Sequence, residues 1–325
     1  MNTLFINMAW DAAGCSFKQA EAINLHTNWK SRHFRAVRTF YDTLDLGPEN
    51  YNKEEFMQLI RDADILHFCS ATHTYNSPHN FGFDWNELVK DKPKIFHDYN
   101  SFIGRWSERA VAKDIWNKKE EIGYDAIFSS IPQAIQIYKD CVYIPDVVNA
   151  ESEEYSYSSI NRREVIIGHF PTGDPNNKNT NELLAAINQV KAQGKNVKAN
   201  IHRDLTNKRI IEIKKTCTLG FDAIWRGFHG MTTVENLALG IPTMVSADGN
   251  FEETFKEFHK TDIFPFDQVN SIEEIKNQIL YYCNNPEKLE ERSKQVRKFM
   301  EEVWSYKNIA NRIVMEYEKI LDRRK

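Results

Sequence analysis

Short β-rich runs alternate with helical stretches along the whole chain, and that alternation restricts the fold more than any other feature. In the first half, Thr3–Met8, Arg35–Tyr41, Ala63–Cys69, Lys92–Asn100, Tyr124–Ser130 and Cys141–Asn149 read as strands. Helices are predicted from about Ser16 to Lys30, after a Gly14 turn, and over Lys53–Arg61. The polar stretch Ala150–Glu164 breaks the pattern and reads as a linker. The alternation then restarts, with strands at Val165–Phe170, Val197–His202, Phe221–Trp225, Ile241–Val245 and Ile263–Phe266. Helices are predicted at Asn179–Gln193, Asn207–Thr216, Ser271–Cys283, Pro286–Glu302 and from Tyr306 onward. Such alternation predicts parallel sheets covered by helices on both faces. Two series in 325 residues predict an α/β protein of two Rossmann-like domains in tandem, residues 1–155 and 160–325. Its ligand cleft is expected between them, at the carboxyl ends of the strands.

Composition narrows the class of ligand. Hydrophobic residues make up 41% and charged residues 27%, enough for real cores. A net charge of −4 argues against broad nucleic-acid binding. The residues after Tyr155 are the less acidic portion, which favours an anionic ligand there. The five cysteines are scattered singly, with no C-x-x-C pair, so a reducing compartment is expected. No apolar run approaches the roughly 18–20 residues that span a bilayer. The opening MNTLFINMAWDAAG reads as a first strand rather than a signal peptide, and a cytoplasmic location is the expectation.

The segment GFHGMTTVENLALGIPTMV (Gly227–Val245) holds the sharpest site signal. Gly230 allows a tight turn, Thr232 and Thr233 suit a helix start, and Gly240 suits its stop. Glu235 then sits among small and apolar residues. Thr232-x-x-Glu235 fits a capping box, which explains the carboxylate without a ligand. The alternative is that Glu235 holds something polar.

Other segments carry the same two readings. His169–Thr180 (HFPTGDPNNKNT) opens a helix. Asn179 with Glu182 fits another capping box, whereas Lys178 beside a helix N-terminus fits a phosphate seat. His67 and His97 fall near strand ends, where α/β proteins build sites, and His67 reads more readily as a structural histidine. Asp62-Ala63-Asp64 precedes its strand, the wrong end for a metal site, and the histidines lack metal-ligand spacing. Asn28–Arg38 mixes basic and aromatic residues, so peripheral contact with anionic lipid competes with a solvated helix end.

Together these segments resemble GT-B glycosyltransferases, especially glycosyltransferase family 4. Gly227–Pro242 resembles the family's E-G-x-G-x-x-x-x-E-A-x-A-x-G-x-P signature. His169-Phe170-Pro171-Thr172 with Lys178-Asn179-Thr180 resembles its H-x-P-S…K-G-T loop, and FDAIW its aDv strand. ADILHF, PKIFHD and VYIPDVVN resemble first-half motifs in the same order. The resemblance implies a first domain that takes a glycan or lipid-linked acceptor and a second that binds a nucleoside-diphosphate sugar, UDP- or GDP-linked, with the last helix packing back on the first domain. It implies no cofactor, metal or nucleic-acid partner.

The resemblance also assigns residues. Glu235 would bind the ribose, and Gly230, Met231, Thr232 and Thr233 the diphosphate. His169, Thr172, Arg203 and Arg226 would join the donor site. Lys178 would neutralise the leaving diphosphate and His97 would lie near the donor sugar, the two catalytic assignments. This chain departs from the pattern at Gly227, where retaining members carry a first glutamate, and at Phe228, which replaces a glycine. The glycine favours a non-catalytic protein that binds nucleotide-sugar or glycan. A nucleotide-sugar 2-epimerase of the same fold is the other alternative.

Overall fold

The computed structural model describes residues 1–7, 14–36, 45–69, 81–99, 123–132, 134–137, 140–157, 164–171, 178–224, 229–247 and 251–325. In chain order the elements are β1 (Asn2–Asn7), α1 (Cys15–His26), β2 (Lys30–Arg35), α2 (Lys53–Asp62), β3 (Ile65–Cys69), α3 (Trp85–Val89), β4 (Lys94–Asp98), β5 (Ala126–Ser129), α4 (Ala134–Ile137) and β6 (Val142–Tyr143). A 3₁₀ turn at Glu153–Tyr155 follows. Then come β7 (Val165–His169), α5 (Thr180–Ala192), β8 (Val197–Ile201), α6 (Asn207–Lys214), β9 (Leu219–Phe221), α7 (Met231–Ala238), β10 (Thr243–Val245), α8 (Phe251–His259), β11 (Asp267–Gln268), α9 (Ile272–Asn284), α10 (Pro286–Glu302) and α11 (Tyr306–Arg323). The chain divides into two compact units, Met1–Val147 with Tyr306–Lys325, and Val148–Ser305.

The first unit is a parallel sheet in the order β2-β1-β3-β4-β5-β6. β3 and β4 are buried along their whole length, as expected for strands covered on both faces. Helix α2 starts where the Asn52 side chain accepts the Glu55 amide at 2.9 Å. Its Phe56 and Ile60, one helical turn apart, pack on Leu4, Phe34 and Phe68. Helix α11 lies along α1, and its buried Tyr317 meets Trp29 with ring centroids 5.2 Å apart.

The second unit is also parallel, in the order β11-β10-β9-β7-β8. Counted from its own first strand this is the doubly wound order 2-1-3-4-5, whose direction reverses between β7 and β9. Leu183, Ile187 and Val190 of α5 pack on Ile167, Leu219 and Phe221, with Ile275 and Ile279 of α9. Helix α7 ends at Gly240, whose φ of 71° is the left-handed region. The Gly240 amide donates to the Leu237 carbonyl (2.9 Å) and the Ile241 amide to that of Asn236 (2.8 Å), a Schellman ending.

Several elements differ from the sequence expectation. The second strand runs over Lys30–Arg35, inside the segment read as a helix end, with Ser31, His33, Phe34 and Arg35 buried. Polar side chains at buried positions hide its strand pattern. Among the described residues of this segment, Arg32 pairs with Asp45 and Glu55, and Trp29 and Phe34 are buried. Strand β9 starts two residues before FDAIW and ends at Phe221, which leaves Asp222 just past its carboxyl end. The IFPF run is not a strand. Phe264 and Phe266 instead join Phe251 and Phe255 in an aromatic cluster, and β11 follows at Asp267.

The start of the expected linker is packed. Tyr155 is buried, and Arg297 donates to the carbonyls of Ala150 (2.7 Å), Tyr155 (2.6 Å) and Ala238.

Candidate active site

The reversal point of the second sheet gathers the polar groups. Asp222 follows β9 there, and its carboxylate is buried. One oxygen accepts from Lys178 Nζ at 2.6 Å. The other accepts from the Gly230 amide at 2.6 Å and the Thr233 hydroxyl at 2.9 Å. Burial alone would raise the Asp222 pKa, but the Lys178 ammonium and these donors outweigh it and hold the carboxyl well below the usual range. Asp222 thus does for α7 what a side-chain cap does elsewhere, because the Gly230 N-cap has none. A Cβ on Gly230 would lie 3.0 Å from Asp222 Oδ2 and 3.5 Å from Lys178 Nζ, so glycine permits this close approach.

A second ion pair lies one turn into the same helix. Glu235 is buried, and its carboxylate accepts from Lys214 Nζ at 2.7 Å and Asn207 Nδ2 at 3.0 Å. Lys214, fully buried, also donates to the carbonyl and hydroxyl of Thr232, at 3.1 and 3.2 Å. Helix α7 begins at Met231, so Glu235 lies too deep for N3 and the Thr232–Glu235 capping box does not form. The Asn179–Glu182 box does not form either. Asn179 takes a left-handed φ of 56° at the start of α5, and its side chain accepts the Ile224 amide at 3.1 Å instead.

His169 ends β7. Its Nδ1 hydrogen points to the Phe221 carbonyl (3.1 Å), which leaves Nε2 to accept from the Thr180 hydroxyl (2.9 Å). Burial lowers its pKa to about 4, so the ring is neutral at pH 7. It ties β7 to α5 rather than offering a nitrogen outward. Arg203 stands exposed beside Asp204, 3.9 Å away. Thr172, Arg226, Gly227 and Phe228 lie outside the described residues. The structure therefore brings together Lys178, Gly230, Thr232, Thr233 and Glu235, with Met231 buried at the helix start.

Sequence reasoning missed Asp222 and Lys214. Asp222 was hidden by placing it inside a strand. Lys214 left a faint signal, a lysine three residues after buried Ile211 on the apolar face of α6.

In the first unit His97 is fully buried at the carboxyl end of β4, within a hydrogen-bonded chain. The Ser130 hydroxyl donates to Asp146 at 2.9 Å, so Ser130 Oγ accepts from His97 Nε2 (3.3 Å). His97 Nδ1 must then accept from His67 Nε2 (2.9 Å), and His67 Nδ1 from the Tyr317 hydroxyl (2.6 Å). Burial lowers the His97 pKa to about 3. Both ring nitrogens of His97 are engaged within this chain. Asp62 and Asp64 accept from Gln58 (2.7 Å) and the Asn2 amide (2.6 Å). Among the described residues no group of three His, Cys, Asp or Glu is placed to hold a metal ion.

Two tandem units with parallel sheets, the second carrying lysine–carboxylate pairs at its reversal point, define the class: the fold is that of GT-B proteins. HepE of Anabaena, solved with UDP-glucose, superposes with a TM-score of 0.65 at 13% identity, covering 98% of this chain and 100% of that one. Sucrose-phosphate synthase from Thermosynechococcus elongatus gives 0.61 at 12% identity, with 99% and 100% covered. A Listeria monocytogenes protein described as a candidate UDP-N-acetylglucosamine 2-epimerase gives 0.56 at 12% identity, with 99% and 97% covered. No protein-family model matches the chain, and no curated protein matches it in sequence.

Proposed function

We propose that this protein is a glycosyltransferase that moves a sugar from a nucleoside-diphosphate sugar to a glycan or lipid-linked acceptor, without a metal ion. The observation that carries the reading is the convergence of Lys178, the amino end of α7 and Glu235 at the reversal point of the second sheet. Expelling a nucleoside diphosphate leaves negative charge on a phosphate oxygen. A lysine and the positive end of a helix stabilise such charge without a metal. Glu235, beside the Lys214 ammonium, supplies a carboxylate for ribose hydroxyls. The likeness to HepE, solved with UDP-glucose, favours a UDP-linked donor over a GDP-linked one. His97 acts in this reading through Ser130 and Asp146 as a positioning residue.

A nucleotide-sugar 2-epimerase is the second reading, favoured by the likeness to the Listeria protein. The two separate on the acceptor, because an epimerase converts its substrate with none present. The test is a thermal-shift screen against UDP-, GDP-, ADP- and CMP-linked sugars in EDTA, followed by product analysis with and without oligosaccharide acceptors. We expect a UDP-sugar to raise the melting temperature in EDTA and its turnover to require an acceptor. No shift with any nucleotide sugar sinks the proposal, epimer formed without acceptor replaces it with the second reading, and a shift only after added Mg²⁺ or Mn²⁺ removes metal independence.

A further inference from the structure

We infer that Asp222 is the resident counter-ion of the diphosphate seat, a carboxylate from which a bound diphosphate must draw Lys178 away. This rests on the donor-site reading above and adds a residue that the family resemblance does not assign.

Three donors suited to a phosphate converge on this one side chain. Lys178 Nζ, the Gly230 amide and the Thr233 hydroxyl all lie within 2.9 Å of its oxygens. The Asp222 side chain is only 3% exposed, whereas that of Lys178 is 15% exposed and is the half of the pair that can turn outward. Electrostatics set the direction of the effect. A lysine and a helix N-terminus together favour an anion, but a carboxylate at hydrogen-bonding distance cancels the lysine's charge. The free seat is therefore satisfied and nearly neutral, and binding a diphosphate exchanges one anion for another at Lys178. Removing the Asp222 charge frees the lysine in advance, so the variant binds a diphosphate more tightly than the native protein. The carboxylate keeps the seat ordered when empty and eases release of the nucleoside diphosphate.

The test is calorimetric titration of UDP into the full chain, Asp222→Asn, Lys178→Met and the double variant. Asp222→Asn keeps an oxygen for the Gly230 amide and loses only the charge. We expect it to tighten UDP binding about tenfold, and expect Lys178→Met to weaken binding. In the Lys178→Met background the gain from Asp222→Asn should shrink to less than about threefold, because it acts through the lysine. Asp222→Ser, which also offers an oxygen without charge, should reproduce the gain. Equal or weaker UDP binding by both position-222 variants while the native chain binds overturns the inference and leaves the donor-site reading standing. So does a gain undiminished in the Lys178→Met background. If no protein binds UDP, the same titrations with GDP and ADP decide, and if none of the three diphosphates binds, both fail. If neither position-222 variant folds, the carboxylate is a structural pin and the inference fails.

Discussion

The Lys214–Glu235 pair decides how Glu235 can be probed. Both side chains are almost wholly buried, at 0% and 6% exposure, so each charge depends on the other. Breaking a buried pair by neutralising one partner costs about 3–5 kcal/mol, because the remaining charge stays buried. Glu235→Gln therefore lowers stability by about that range, where a capping residue would tolerate Gln with little loss. Lys214→Met with Glu235→Gln removes the stranded ammonium and recovers most of the stability. Urea unfolding of the two single variants and the double measures this, and single-variant losses that simply add would show that the pair is not a unit. UDP titration into the double variant then isolates the ribose contact, with a tenfold to hundredfold weakening expected for lost bonds of about 1.5–3 kcal/mol to a charged group. The sequence marked Glu235 and Lys178 because a charge among apolar residues, or at a helix start, stands out. It did not mark Lys214 or Asp222, since no local pattern says that two residues distant in sequence will pair with those charges.

Helix α7 shows why elements were easier to read than their ends. Its stop was legible because Gly240 takes a φ that other residues adopt only with strain. Its start was not, because the cap comes from Asp222 on another strand exit instead of from Thr232. The two glycines at its ends should respond differently to substitution. Gly240→Ala meets both the positive φ and a contact of 2.4 Å with the Tyr157 ring. Gly230 has a φ of −104°, and the added methyl would meet Asp222 Oδ2 at 3.0 Å, so only a small shift is needed. Overpacking of this kind costs about 1–3 kcal/mol. We expect Gly230→Ala at or below the low end and Gly240→Ala beyond the high end. Melting temperatures that rank the two variants the other way would contradict this account. Strand β2 failed to register for a related reason. Its buried His33 and Arg35 find polar partners, Ser16 for His33 and Glu49 for Arg35, that composition does not reveal.

At the scale of the whole molecule, alternation of strand and helix was enough to predict two doubly wound sheets, because period and length survive substitution. The assignment of α11 to the first unit depends on side-chain contacts such as Tyr317 with His67, which no local pattern carries. Both units also bury neutral histidines, and this gives the molecule a common acid response. Burial lowers the pKa of His97 to about 3 in the first unit, and those of His169, His229 and His259 to about 4, 4 and 3 in the second. In the unfolded chain these rings take up a proton near pH 6.5. Each histidine therefore contributes stability that is complete above about pH 6.5 and is lost as pH falls toward its folded value, by up to about 1.4 kcal/mol per pH unit. Asp222, held low, adds to the loss only below its ordinary carboxylate range. Asp267, raised by burial, works in the opposite sense and blunts the decline in the second unit as pH approaches its range. Calorimetric melting at a series of pH values from about 8 to 4 should show midpoints that hold above pH 7 and fall increasingly steeply below about 6.5. A midpoint flat from pH 7 to 5 would mean that these rings gain partners or water on protonation, and the burial argument for all four would be wrong.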